Sequence, residues 1–430
     1  MEIRILITEP LSPFVAAVAL VMLASCKSIP VEIPAASSLP VPDMLTDERA
    51  ARLALENNAA FLELMADLGI AEAEFIQAGE LPNPGLAVLF PLGPKQLEFA
   101  AKLPVEALWL RPKRESVARS NADMIAKRLM QDGLDLVRDT KIACADLRLA
   151  ERKAQLAKED AALLANFADL AGRREEAGDI SELEVSTAET DALQARIDRD
   201  RAPTDVKIAR EKLRNLLGFS AQRADFTLAK TPGLLRVDRS EASLVKLALA
   251  ARPDLRAAEL AMEVEGKRFG LAQAEVFKVA AIFDSNGFGS SFEAGPGLDV
   301  TLPIFNNGEG AKALADVRFR KAARHYVSVR DQIAMEVRQF YARYQQAGRD
   351  LHAMRDELLP ALRRTANQTE DAWKGGEVTY LYVLESNRRL QAARLREAEF
   401  LADLQRASAE LERSIGASSA MVSGKGVISS

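Results

Sequence analysis

The chain has 430 residues, of which 57 are Lys or Arg and 62 are Asp or Glu, and its formal net charge is −5. This near balance gives no reason to expect a nucleic-acid partner, which usually requires a basic surface. The two histidines, His325 and His352, lie too many helical turns apart to share a metal, and no Ser/His/Asp or Cys/His arrangement supports catalysis. We therefore expect no enzymatic activity, no catalytic residues, no metal and no cofactor.

The N-terminus is typical of a secretory signal. Arg4 precedes an apolar stretch, Phe14 to Ala24, that is too short to anchor the chain permanently across a bilayer. The stretch ends in Leu23-Ala24-Ser25-Cys26, which resembles the bacterial lipobox, whose cysteine becomes the acylated first residue of the mature chain. We predict a signal peptide at residues 1–25 and lipidation at Cys26. A signal without a lipid is the alternative.

Segments without regular structure are predicted at both ends of the mature chain. Residues 26–45 are rich in Pro and Ser and are predicted to form a lipid-anchored tether. Residues 417–430 are rich in Gly and Ser and are predicted to form a disordered tail. The residue after the cysteine is Lys27, and the lipoprotein resemblance implies that Asp at this position would favour the inner membrane. The resemblance therefore implies attachment to the outer membrane.

The chain between these two segments is an internal duplication. Residues 177–185 read Ala-Gly-Asp-Ile-Ser-Glu-Leu-Glu-Val, and residues 375–383 read Gly-Gly-Glu-Val-Thr-Tyr-Leu-Tyr-Val. The shared pattern places Gly376 198 positions after Gly178. Such a return at a fixed spacing indicates two copies of one structural unit, each with a helix, a β-hairpin and a hairpin of long helices. The predicted domains are a first repeat at 46–232 and a second repeat at 233–416.

A very long helix is predicted in the first repeat. Residues that favour helices run from about Lys113 to Arg174, and a helix of about 60 residues measures roughly 90 Å. Gly178 can supply the positive φ of a helix C-cap, and Ser181 can cap the next helix. The pattern therefore predicts two long antiparallel helices joined by a tight turn.

The second repeat follows the same plan. Its long helix is predicted from about Gly310 to Trp373, with a turn at Gly375-Gly376, Thr379 as the cap of the returning helix, and an end near Gly416. Pro360 lies inside this long helix. Because Pro lacks an N–H and crowds the preceding turn, we expect a kink there.

Four short strands are predicted, two in each repeat. Apolar and polar side chains alternate along residues 96–103 and 298–302, as expected for strands with one apolar and one polar side. Partner strands are predicted at Leu86 to Phe90 and Val279 to Asp284. Their connecting turns are predicted at Pro91 to Pro94 and at Ser285 to Gly295.

Two hairpins are too few for a closed membrane barrel. Four strands leave open edges, and open edges cannot lie in lipid, so a membrane barrel has to be shared between subunits. A soluble sheet that caps a helical bundle is the alternative interpretation of the same strands. The lipobox-like N-terminus favours the membrane interpretation.

From about Leu45 to Gly416, the plan resembles the TolC-like outer-membrane efflux protein family, and especially its lipoprotein members. The segments that carry the resemblance are 178–185, 376–385, 298–308 and, more weakly, 101–109. The resemblance implies a mainly α fold with a small membrane β part. In it, duplicated antiparallel coiled coils form a periplasmic α-barrel, and four strands per chain contribute to a 12-stranded β-barrel in a homotrimer. It also implies a passive exit duct without enzymatic activity, which works with an inner-membrane pump and a periplasmic adaptor in a tripartite efflux or type I secretion-like system.

The same resemblance assigns roles to residues at the two turns. The turns become periplasmic tips that dock the adaptor; the candidate docking residues are Gly178, Asp179, Ser181, Leu183, Gly375, Gly376, Thr379 and Leu381. Acidic side chains often ring the narrow end in this family, and Glu184 and Glu385 match those positions. Tyr382 stands where an acid is common, so the predicted gate of Glu184, Tyr382 and Glu385 is less charged. Ordinary helix N-terminal acids are the alternative explanation for Glu184 and Glu385.

Two other functions remain open from the sequence. One is a periplasmic lipoprotein scaffold or adaptor with coiled-coil hairpins and no channel. The other is a metal-binding outer-membrane protein, which no cluster of His or Met residues supports. The exported compound cannot be derived from the sequence, because a duct passes whatever its pump delivers.

Overall fold

The computed structural model describes residues 44–89, 98–220, 225–229, 237–286 and 293–416. The predicted signal peptide, the lipidation site Cys26, most of the tether, the tail and the boundary at 232/233 lie outside these residues. So do Phe90, the turn at Pro91 to Pro94 and most of the turn between Ser285 and Gly295.

The described chain is mainly helical, with two small sheets. The helices are α1 (Asp47–Asn57), α2 (Ala59–Ala78), α3 (Ala107–Glu176), α4 (Glu182–Leu216), α5 (Glu241–Ala251), α6 (Pro253–Ala274), α7 (Glu309–His352), α8 (Leu359–Lys374) and α9 (Tyr380–Ile415). The strands are β1 (Met44–Leu45), β2 (Gly85–Leu89), β3 (Glu98–Pro104), β4 (Thr227–Leu228), β5 (Lys278–Asn286) and β6 (Glu293–Thr301). Among the described helices, none is both long enough and apolar enough to cross a membrane.

The duplication is visible in how each returning helix ends. Gly218 after α4 and Gly416 after α9 both have positive φ, +77° and +67°, and lie 198 positions apart. Beside the first end, the amide of Asn58 donates to the carbonyl of Leu216 at 3.0 Å. Beside the second, the guanidinium of Arg252 donates to the carbonyl of Ser414 at 3.3 Å. In both repeats, a side chain near the start of the repeat therefore donates to a carbonyl at the end of the returning helix. The side chain itself differs between the repeats.

The interruption predicted at Pro360 takes a different form. A π-helical turn, Ala353–Leu358, separates α7 from α8, and Pro360 is the second residue of α8. Because Pro has no N–H and its ring crowds the carbonyl four residues earlier, a wider turn just before it relieves both problems. The corresponding helix of the first repeat, α3, is continuous over 70 residues and begins before the predicted Lys113.

The two predicted hairpins form one four-stranded sheet. The strand order is β2-β3-β5-β6, and every neighbouring pair is antiparallel. The described strands β2 and β5 contain most of the two predicted partner strands. The contact between β3 and β5 joins the first repeat to the second at this sheet.

A second, two-stranded sheet was not predicted. Strand β1, at the start of the described chain, pairs in parallel with β4, which follows the first repeat's last helix. Arg148 of α3 contacts the chain just after each of the two strands. Its guanidinium pairs with Asp47 after β1. Its Nε also donates to the carbonyl of Ala229 after β4, at 3.0 Å. The first repeat therefore begins and ends side by side.

Candidate functional site

The four-stranded sheet has one apolar and one polar side. Its register places Leu103 opposite Ala281 and Ala281 opposite Leu298, so these side chains share a side. By the same register, the apolar side carries Leu86, Val88, Phe99, Ala101, Leu103, Val279, Ala281, Phe283, Leu298 and Val300. All charged residues of the described strands lie on the other side: Glu98, Lys102, Lys278, Asp284, Glu293 and Asp299. Such a division is typical of a sheet that separates lipid from water.

Both outer edges of this sheet are open within the described chain. Strand β2 forms one edge and β6 the other, and each has a single neighbouring strand. Because the four strands alternate in direction, β6 of one copy runs antiparallel to β2 of a neighbouring copy in the same orientation. The sheet can therefore be continued by further copies of itself without a change of pattern.

The two tips have the same backbone. Gly178 and Gly376 have φ of +81° and +79°. At the first tip, Asp179 N–H donates to the Arg174 carbonyl at 2.8 Å; at the second, Glu377 N–H donates to the Ala372 carbonyl at 2.9 Å. Each glycine N–H also bonds the carbonyl three residues earlier. This is the Schellman ending, which needs a residue with positive φ, so the predicted glycine caps are present.

The remaining predicted tip residues differ in their contacts. Ser181 Oγ accepts a hydrogen bond from Glu184 N–H at 3.4 Å, as an N-cap does. Thr379 has the extended backbone of a cap, but its side chain makes no cap hydrogen bond. Gly375, at the end of α8, has right-handed helical backbone angles. Leu183 and Leu381 are 76% and 68% exposed. Each tip thus presents a leucine to its surroundings.

An aromatic cluster, which the sequence analysis missed, joins the two tips. Phe167 of α3 packs edge-on against Trp373 of α8, with ring centroids 5.7 Å apart, and Tyr380 of α9 lies 5.8 Å from Trp373. All three rings are buried. Burial raises the pKa of the Tyr380 phenol to about 12, and the negative charge of Asp191 acts in the same direction.

Arg174 forms a second connection between the tips. Its Nη1 donates to the Trp373 carbonyl at 2.8 Å, and its guanidinium lies 5.3 Å from the centre of the Trp373 ring. Its Nε lies 3.9 Å from Asp179 of its own tip. A charged hydrogen bond and a cation–π contact therefore hold the second tip against the first.

Replacing Arg174 with Ala is expected to loosen the two tips. The loss of a charge-assisted hydrogen bond and a cation–π contact should cost about 2 kcal/mol locally. Hydrogen exchange of the backbone near Trp373 measures this loss. The matched control is Arg173→Ala. Among the described residues, Arg173 forms one ion pair, with Asp169 on an exposed helix face, and its loss should cost less than about 0.5 kcal/mol. Equal effects of the two substitutions would contradict the connection.

Within the described chain, the three predicted gate residues form no hydrogen bond or ion pair with one another. Glu385 accepts a hydrogen bond from Arg389 at 2.6 Å, and Tyr382 is exposed. Glu184 Oε2, together with Trp373 Nε1 and the Tyr380 hydroxyl, is buried without a hydrogen-bond partner in the part of the chain that the structure describes. The gating role remains a prediction.

The arrangement of a sheet and duplicated helical hairpins is the fold of outer-membrane channel subunits. The outer-membrane channel OprN matches with a TM-score of 0.74 at 16% identity, covering 87% of this chain and 90% of that one. A structure of CusC matches with a TM-score of 0.74 at 18% identity, covering 90% and 99%. The outer membrane protein VceC of Vibrio cholerae matches with a TM-score of 0.73 at 18% identity, covering 86% and 96%.

Sequence comparison agrees with the resemblance described above. Residues 244–417 match the outer membrane efflux protein family. The cobalt-zinc-cadmium resistance protein CzcC of Cupriavidus metallidurans is 22% identical over 382 residues, which cover 86% of this chain and 90% of that protein. The predicted family and the predicted fold class are confirmed. The family is one of transport proteins; the absence of an enzymatic activity remains a prediction.

Proposed function

We propose that three copies of this chain form an exit duct in the bacterial outer membrane. The duct serves a tripartite efflux system, in which an inner-membrane pump and a periplasmic adaptor deliver the substrate. The observation that carries the proposal is the sheet, which has charged residues on one side only and two open edges. Three copies supply twelve strands, enough for a closed barrel with its apolar side toward lipid and its charges toward water.

A channel explains the sheet better than a soluble scaffold does. Leu86, Phe283 and Leu298 on the apolar side are all exposed within one chain. In water, such a continuous apolar surface favours aggregation, whereas lipid covers it at no cost.

The tips are the proposed docking surface for the adaptor. Leu183 and Leu381 offer exposed apolar contacts, and Asp179, Glu182 and Glu377 add exposed carboxylates around them. An adaptor with apolar and cationic residues at its own end would complement this surface. Lipidation at Cys26, with the helices in the periplasm, belongs to the same proposal.

The name of the relative CzcC suggests which cargo to examine first. That protein is described as conferring cobalt, zinc and cadmium resistance. Divalent cations are therefore the first cargo to test. Within the described ranges, no three His, Cys, Asp or Glu side chains are grouped so that they could hold a metal ion.

Planar bilayers test the duct directly. The purified protein is expected to form trimers in detergent and to conduct ions after insertion. Replacing Phe283 with Asp puts a charge on the apolar side and should reduce insertion by about 2 kcal/mol or more per copy. The control is Asp284→Asn, on the polar side of the same strand, which should insert normally. A monomer that salt alone releases from membranes, and that never conducts, would overturn the proposal.

A further inference from the structure

A basic cavity lies between three helices, α3, α6 and α7. Its volume is about 380 Å³, which is within the size range of small-molecule sites. Its lining contains four Lys or Arg residues, one histidine and one carboxylate: Arg128, Arg268, Arg318, Lys321, His325 and Glu265. Small apolar side chains, Ala261, Val264 and Ala322, form part of the wall between these charges. The cavity therefore has an excess of positive charge.

Most of the basic side chains in this cavity have no partner. Glu265 is the one carboxylate that lines the cavity in the described chain, and it accepts a hydrogen bond from Arg268 at 2.7 Å. The other four basic side chains form no ion pair and no hydrogen bond among the described residues: Arg128, Arg318, Lys321 and His325. Asp132 is one turn along α3 from Arg128, but it does not line the cavity and forms no ion pair with it.

The excess of charge is confined to the cavity. Elsewhere on α6, Arg256 pairs with Glu259 at 2.6 Å and Lys267 pairs with Glu263 at 2.7 Å. Such pairs at steps of three or four residues are the usual arrangement on an exposed helix. On α7, no acid stands three or four positions from any of the basic residues that line the cavity: Arg318, Lys321 and His325. The sequence therefore provides these cations with no partner along their own helix.

The chemistry of the cavity fits a small oxyanion. Like charges around one cavity repel one another, and apolar walls strengthen their field because they screen it poorly. An anion with more than one negative charge would offset this repulsion. The planar guanidinium of Arg donates two parallel hydrogen bonds to oxygen atoms of carboxylate or phosphate. Phosphate meets both requirements, whereas chloride has a single charge and no such geometry.

We propose that this cavity binds a small oxyanion of the phosphate class, held by Arg128 of α3, Arg268 of α6 and Arg318 of α7. Lys321 and His325 line the same cavity and complete its basic side. Helix α3 belongs to the first repeat, and α6 and α7 belong to the second, so the bound anion links the two repeats. Neither the sheet nor the tips contribute to this site, and the inference does not depend on the proposed duct.

Urea unfolding of the full-length protein in detergent tests the site. We expect inorganic phosphate to raise the urea midpoint more than chloride does at equal ionic strength, because a ligand of the folded chain stabilises it. A site variant, Arg128→Gln with Arg318→Gln, should lose this gain. Isothermal titration calorimetry should show phosphate binding weakened by about tenfold or more. Without phosphate, the site variant should be at least as stable as the wild type, because two repelling charges are removed.

The matched control is Arg320→Gln with Arg330→Gln. It removes two charges from exposed positions on α7, where Arg320 pairs with Asp316 and Arg330 with Asp331. The control should bind phosphate like the wild type. If circular dichroism shows that the site variant does not fold, the single variant Arg318→Gln is titrated in its place.

A second titration, with glycerol 3-phosphate, distinguishes a phosphate ester such as a lipid headgroup from the free ion. Tighter binding of either compound supports the site and identifies the source of the anion. Equal effects of phosphate and chloride on the wild type would overturn the proposal. Unchanged phosphate binding by the folded site variant would overturn it as well, and neither result would affect the proposed duct.

Discussion

Replacing Trp373 with alanine is expected to separate the two helical tips. The Trp373 side chain is 1% exposed and packs against both Phe167 and Tyr380. Truncating a buried tryptophan costs about 3–5 kcal/mol. Because the Trp373 ring also makes the cation–π contact with Arg174, that contact is lost too, whereas the hydrogen bond from Arg174 to the backbone carbonyl remains possible. Hydrogen exchange near the tips should therefore accelerate by about a hundredfold or more.

Tyr382 provides the control for this experiment. It lies on the same hairpin, is also aromatic and is exposed. Its replacement with alanine should change local stability by less than about 0.5 kcal/mol. If both variants exchanged at the same rate, the aromatic cluster would not be what joins the tips.

Replacing Gly218 with alanine is expected to disrupt the end of the first repeat. A Cβ at this position would lie 2.1 Å from the carbonyl oxygen of Asn57, and the φ of +77° is itself unfavourable for alanine. Strain and overpacking together should cost about 2–5 kcal/mol. The expected result is a lower urea midpoint of the detergent-solubilised protein and a lower yield of folded chain.

Gly178→Ala separates the two causes of this effect. Gly178 has almost the same φ, +81°, but a Cβ there would meet no atom within 4 Å. Gly178→Ala should therefore cost only the about 1–2 kcal/mol of the unfavourable backbone conformation, and this loss of stability is confined to the tip. Equal losses in the two variants would show that the contact with Asn57 contributes nothing.

The features that the sequence predicted are local. Gly178 and Gly376 were identifiable because a helix end with positive φ depends on a few neighbouring residues. The strands around Phe99 and Val300 were identifiable because alternation along one strand reflects its two sides. The continuous α3 and the returning α4 followed from long runs of helix-forming residues.

The features that the sequence did not predict depend on distant partners. The contact of Arg174 with Trp373 spans 199 positions, and no pattern around either residue marks it. The pairing of β1 with β4 involves two residues on each strand, which is too short for any periodicity. At Pro360 the position of the disturbance was predicted, but its form was not, because a kink and a π-helical turn relieve the same crowding.

The small parallel sheet bears on how the chain arose. Met44-Leu45 lies beside Thr227-Leu228, so the polypeptide leaves the first repeat where it entered. A gene for one such unit can be copied in tandem and joined by a short linker, and neither unit needs rearrangement. For the proposed duct of three copies, an ancestor with a single unit would then need twice as many subunits, and fusion would have halved that number.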